Sequence, residues 1–408
     1  MGRSLRPASP HVGMSALIAV VLLLAGCDFF GVGTARPAHP SFTMANDLAL
    51  RTTVLGSASN ASSSETRSAA VSLTPVVQVT PPTVKDTRTQ AGQLSYDPAT
   101  ERLHVGYKLA GSDFGGGIDI LDVHPGGSAE DLVDGYRSLR STNVDVMEVR
   151  SHTAEGALYA AGAVTTQKQR LSPAVVSKII PSDSEIVAQS KRLSHNVAKS
   201  LVLGPAPNTV HVATDENTLF QFDLDLNNQS KLTAGGTSGF RSATAHEDQV
   251  FVLDQSGHLF STTASTFQSL SSIARLTESA FGNGTVARLH TDGDQLYAAL
   301  NEKGFAIVAP SGTEAWTSDP VPPEARYTCV STGPSYVYVG RFDGAIEVYE
   351  RPETIAEGPE HVGTFGPWAG TYGGRLSGAP INQILVIENH LYVAHSRDGM
   401  VVFRIDEN

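Results

Sequence analysis

An all-β ring of repeats, a seven-bladed β-propeller, is the fold this sequence predicts, and three observations carry the prediction. Short runs of β-branched and aromatic residues recur about every 40–55 positions. Turns closed by glycine or asparagine follow them. A strand-like stretch near the N-terminus belongs to no unit, while the last unit ends one strand short.

The recurring run is clearest in Leu103–Tyr107, Leu158–Gly162, Val210–Ala213, Val250–Leu253, Leu296–Ala299, Val337–Gly340 and His390–Ala394. Each is too short for a helix of ordinary length and is bounded by turn-forming residues, which marks a strand. The turns Asp254–Gly257, Asn301–Gly304, Phe342–Gly344 and Arg397–Gly399 place Gly before the next apolar run, and Asp215–Asn217 places Asn there. Both residues tolerate the positive φ of a tight hairpin. The chain ends at Asn408 after the third strand of the seventh unit, so Ala69–Val79 is expected to supply the missing fourth strand and fasten the two ends together. Pro75 within it points to an exposed edge position.

The first residues read as a targeting segment. Arg3, Arg6 and His11 precede an apolar run, Ala16–Leu24, and Leu24-Ala25-Gly26-Cys27 closes it with small residues and a cysteine. Nine apolar residues cannot span a bilayer as a helix, which needs about 20. The pattern resembles a bacterial lipoprotein signal with its lipobox. That resemblance implies cleavage before Cys27, lipidation of its sulfur, and an exported protein anchored in the cell envelope. Residues 28–67 hold Pro, Gly and a Ser-Ala-Asn stretch without period, and are expected to be a disordered tether reaching on the order of 35 Å. The propeller domain is expected over 68–408.

Composition limits the partners. Against 41 acidic residues stand 29 basic ones, a formal charge of −12, and no basic run appears along the chain. Nucleic acid, which requires a basic footprint, is therefore not an expected partner. Neither is an anionic lipid surface, so membrane attachment would come from the lipid. Of the two cysteines, Cys329 sits in a strand-like run and is expected to be a buried apolar residue.

Catalytic and metal patterns are weak. Asp223-Leu224-Asp225-Leu226-Asn227 begins like a calcium loop but has Asn228 and Ala234 where glycine and glutamate are required. His104, His211, His246, His258, His290 and His395 fall in different units. Each is expected to be solvated or singly satisfied, and no metal or other cofactor is expected. Loop length does differ between units. Lys108–Gly117 and Ala163–Pro173 replace tight turns in the first two, and such loops on a rigid scaffold carry function. Asp113, Phe114, Lys168 and Arg170 are thus the first candidates for partner contact, with Arg341 and Arg397 on shorter turns as further candidates.

With these features the chain resembles the seven-bladed propeller lipoproteins of bacteria, and its last unit (LVIE, LYVA, DGMVVF) is similar to LVIVD-type or quinoprotein-like repeats. It also resembles the propeller lipoprotein of the outer-membrane barrel-assembly machinery. That family typically has eight blades and Trp-bearing repeats, whereas tryptophan occurs here only at 316 and 368. The resemblance implies a monomeric module that binds or scaffolds a protein or glycan. An envelope enzyme working at the channel mouth and an accessory factor in outer-membrane protein assembly are the alternatives.

Overall fold

Seven antiparallel sheets of four or five strands follow one another along the chain and form a seven-bladed β-propeller. The computed structural model describes residues 40–55, 70–111, 113–165, 174–182, 186–193, 195–204, 208–236, 238–281, 286–367 and 379–407, and of Tyr136 only the backbone. The targeting segment with Cys27, and the loop residues Lys168 and Arg170, lie outside them. All seven recurring runs form the second strand of their blade, between an inner strand and a third strand. The turn that follows adopts the expected backbone at Asn217, Gly257, Gly304, Gly344 and Gly399, each with φ between 57° and 91°.

The apolar core is divided. Among the described residues seven clusters occur, one between each neighbouring pair of blades, including the pair formed by the last and the first. A blade therefore presents an apolar layer on both faces, which is why the second strands read as nearly continuous apolar runs. Each cluster is anchored by large, fully buried side chains, such as Tyr159 and Phe222 between blades two and three, or Tyr338 and Phe403 between six and seven. Fully burying one such side chain contributes roughly 1.5–3 kcal/mol. The inner strands touch in sequence around the ring, and that of blade seven, Gln383–Ile387, meets that of blade one, Gln90–Asp97.

Strand β3 (Val71–Val79) pairs with the C-terminal strand Gly399–Glu407, completing blade seven as the sequence predicts. Pro75 pairs with Phe403 on its inner side, and among the described residues no strand pairs with it on the outer side, so it keeps the edge position expected of it. A further strand covers β3 at Val77–Val79, and a bulge between Pro75 and Val77 separates the covered part from the proline. The covering strand comes from the stretch assigned to the tether. Within it, β1 (Thr43–Ala45) adds to the outer strand of blade one, α1 (Leu48–Arg51) forms a single turn, and β2 (Thr52–Val54) adds to β3. Residues 43–54 thus bridge the seam a second time. A buried charge cluster holds this clasp. Arg51 Nη2 meets the Asp119 carboxylate at 2.8 Å, Arg140 reaches Asp119 at 3.2 Å and Asp47 at 2.6 Å, and the Asp119 side chain is wholly buried. Arg51 also donates to the Thr80 carbonyl at 2.6 Å.

Five inner strands carry a β-bulge at one equivalent position, inserting Gly92, Met147, Lys199, Arg241 and Thr328. The residue after the bulge reaches across to the next blade. Gln93 Oε1 accepts from the Val149 amide at 2.9 Å, Ser200 Oγ from Ala243 at 3.1 Å, Ser242 Oγ from Leu289 at 3.0 Å, and Gln383 Oε1 from Leu94 at 2.9 Å. These bonds staple inner strands together while the bulged residue is turned elsewhere. Cys329 holds the same position in blade six. It is fully buried, and burial pushes its thiol up to about 11.

Candidate ligand-binding site on the propeller axis

The bulges turn side chains toward the axis. Gly92, Met147, Lys199 and Arg241, together with Lys108, Val146, Val286, Ala287, Arg288 and Asn382, surround a cavity of ≈ 90 Å³. In an antiparallel blade the start of the inner strand and the end of the second strand lie at the same end. Lys199 and Arg241 are near the starts of their inner strands, and Lys108 is the last residue of its second strand. The cavity therefore belongs to the end of the ring where the second-to-third-strand hairpins emerge.

Four cationic side chains thus come together from blades one, three, four and five of a chain that carries a formal charge of −12. The expectation that no basic footprint exists holds along the sequence and fails in space. Arg288 is the one whose charge is met. Its Nη1 contacts the Glu148 carboxylate at 3.1 Å, its Nε donates to the Asn382 carbonyl at 2.9 Å, and its Nη2 donates to the Gly92 carbonyl at 2.7 Å. One guanidinium thereby ties blade five to blades one, two and seven across the axis, and Arg150 pairs with the same Glu148 at 2.6 Å.

The remaining three are not compensated in this way. Among the described residues no hydrogen bond or ion pair reaches the Lys108 or Lys199 ammonium, and the buried Nε of Arg241 has no acceptor, although its Nη2 donates to Gln255. Burial pushes Lys199 down to about 8, with Arg241 and Lys108 adding to the shift and Asp215 opposing it. Burial likewise lowers Lys108, opposed by Asp145. Both carboxylates are engaged by backbone. Asp145 accepts from the amides of Leu109 at 3.3 Å and Gly115 at 3.1 Å, and Asp215 from Val197 at 3.0 Å. Burial raises Asp145 to about 6, against the pull of those amides and of Lys108.

The blade-one loop rises from this cavity wall. The expected insertion, 108–117, narrows to 109–115, because Lys108 pairs with Gly116 and Tyr107 with Gly117. Asp113 is exposed and Phe114 half-buried on this loop, and the Phe114 carbonyl accepts from Lys85 at 2.8 Å, which links the loop to the small hairpin at Thr83–Arg88. Arg397 is exposed on its turn. Arg341 is instead held by Asp343 and by Glu347, the latter at 2.8 Å, and Glu347 also accepts from the hydroxyls of Tyr327 and Tyr349. Asp113 and Phe114 thus lie on the loop that follows Lys108, outside the lining of the cavity, and Arg341 neutralises a carboxylate within its own blade.

The other sequence motifs resolve locally. Asp223 caps its own turn, accepting from the amides of Asp225 at 3.0 Å and Asn227 at 2.7 Å and from the Asn228 side chain at 2.7 Å. His104 contacts the Ser95 carbonyl, His211 Gln221, His258 Asp254, His290 Thr332 and His395 Asp398. Among the described residues no three His, Cys, Asp or Glu side chains gather as a metal site would require, and no helix is long and apolar enough to cross a membrane.

Lys199 and Arg241 occupy the same bulge position, yet the sequence does not align them. The inner and second strands of blade three last pair at Leu203 and Val210, those of blade four at His246 and Gln249, so the offset from the recognisable second strand changes. Basic residues at the start of successive inner strands were the available signal.

No family model matches the chain, and no curated protein does. Among solved structures it is similar to Raptor from Chaetomium thermophilum, with 12% identity and a TM-score of 0.54 over 79% of this chain and 29% of that one. The chain thus spans less than a third of the length of that protein, and the likeness, one among those to 1290 solved chains, is one of fold: the chain is a β-propeller.

Proposed function

We propose that the protein is a lipid-anchored, exported binding module that presents the hairpin end of its propeller to a protein or glycan. The observation that supports this most is the joining of an uncompensated cationic cavity to the 109–115 loop on one end of a rigid, doubly clasped ring. Binding faces are commonly built this way, with recognition on loops and rigidity in the sheets beneath them. Asp113, Phe114 and Arg397 are the contacts proposed on the described part of that face, with Lys168 and Arg170 proposed from the sequence of the second blade's loop. Cys27 is the proposed lipidation site.

Two measurements test the reading. Cys27→Ser should abolish incorporation of labelled palmitate and release the chain from membranes; an unlabelled wild type would end the anchor proposal. Replacing residues 110–114 by Gly-Ser should abolish capture on a glycan array or from envelope extract while leaving thermal unfolding nearly unchanged, and undiminished capture would remove the loop from the binding face.

A further inference from the structure

We infer that the axial cavity is an oxyanion site that takes a phosphate group, held between Lys108, Lys199 and Arg241. This deepens the choice of binding face made above and rests on it, but the two can fail separately, since partner capture and anion binding are measured by different experiments.

The physical case begins with cost. Removing a charge from water without a partner is strongly unfavourable, and buried charges in proteins are ordinarily paired. Here three cations from three blades face one cavity and repel one another, while Arg288 alone receives a carboxylate at the axis. Asp145 acts on Lys108, and Asp215 on Lys199 and Arg241, only through space, and one oxygen of each is taken by the amides of Leu109 and Gly115 or of Val197. Fold stability does not explain such a cluster, because apolar side chains at the same bulges would remove the repulsion, as Met147 does in blade two. An anion supplies what the cluster lacks.

The geometry selects the class of anion. Three separate donors approaching from different blades form a tripod, which matches the several oxygens of a tetrahedral phosphate better than the two coplanar oxygens of a carboxylate. A volume of ≈ 90 Å³ is several times the 10–15 Å³ or so that one water requires, enough for a phosphate group. Low-dielectric walls strengthen each contact.

Isothermal titration of the full chain at constant ionic strength in chloride tests this, with inorganic phosphate, glycerol 3-phosphate and acetate as probes. Saturable one-to-one phosphate binding is expected, weaker by about tenfold or more in Lys199→Met and Arg241→Met and weakened less in Arg241→Lys, which keeps the charge and loses the fork. Tighter binding of glycerol 3-phosphate than of inorganic phosphate would support the site and show that the phosphate arrives on a larger molecule; the reverse order would support it as a site for the free ion. Acetate binding as tightly as phosphate would overturn the tripod. Absence of saturable binding to the wild type, or equal binding to well-folded Lys199→Met and Arg241→Met, would overturn the proposal.

Discussion

The molecule holds two groups of inward-facing cations, and they are built on opposite plans. At the seam between blades seven and one, Arg51 and Arg140 converge on Asp119, with Asp47, the Thr80 carbonyl and Ser138 completing the set. At the axis, Lys108, Lys199 and Arg241 converge on a cavity and on one another. The first group answers every charge within the chain and joins the N-terminal clasp to the ring. The second leaves charge unanswered. Inward-facing cations thus form a lock where counter-charge is bonded to them, and the proposed site where it is not.

The contrast is broken most severely at Asp119. Asp119→Ala leaves two arginines facing each other beneath the clasp and should cost about 3–5 kcal/mol, read as a lowered urea midpoint. A loss below about 1 kcal/mol would mean that the cluster is solvated in solution and is not a lock. Arg341→Ala should cost less, about 1–3 kcal/mol, because Glu347 keeps its two tyrosine hydroxyls when the guanidinium is gone. Should Arg341→Ala instead leave stability unchanged, Arg341 would return to the set of surface candidates.

At Lys199 the sign reverses. Lys199→Met removes a half-buried charge repelled by its neighbours, so stability without added anion should hold or rise by up to about 1 kcal/mol. The pH dependence follows from the same residue. Lys199 faces Lys108, Arg241 and Asp215, and is lowered to about 8 from 10.5. Below pH 8 it is charged in both folded and unfolded chains, and the folded state bears the full cost. Between about 8 and 10.5 the folded chain has lost the proton while the unfolded chain still holds it, so stability attributable to Lys199 rises with pH. That rise should be missing from Lys199→Met in paired denaturant titrations across the interval, and an identical slope in both proteins would contradict the assignment.

Legibility in the sequence followed the same division. The second strands were readable because each is sandwiched between two blades, which forces an apolar run bounded by turn glycines. The missing strand of blade seven was readable by counting, since 71–79 had no unit of its own. The clasp at 43–54 was not, because its strands span three residues each and are half-exposed, leaving no periodic signature, and what holds them is a charge cluster drawn from 47, 51, 119 and 140. The axial site was hidden for a different reason. Its cations come from separate blades, and a bulge reverses the facing that strand alternation would assign to Lys199 and Arg241. Loop length points to the same end of the ring as the cavity, since Lys108 lies at the base of the blade-one insertion.

One measurement sets the two groups directly against each other: the shift in thermal midpoint on adding phosphate, at fixed ionic strength, for the wild type, Arg51→Ala and Lys199→Met. Stabilisation by a ligand that binds only the folded chain grows as RT ln(1 + [L]/Kd), about 2.7 kcal/mol at a hundredfold excess over Kd. The wild type and Arg51→Ala should rise by similar increments, the latter from a lower starting point, while Lys199→Met should barely move. Equal rises in all three, or a rise lost in Arg51→Ala and kept in Lys199→Met, would contradict the division of the molecule into a charge-matched lock and an anion-seeking axis.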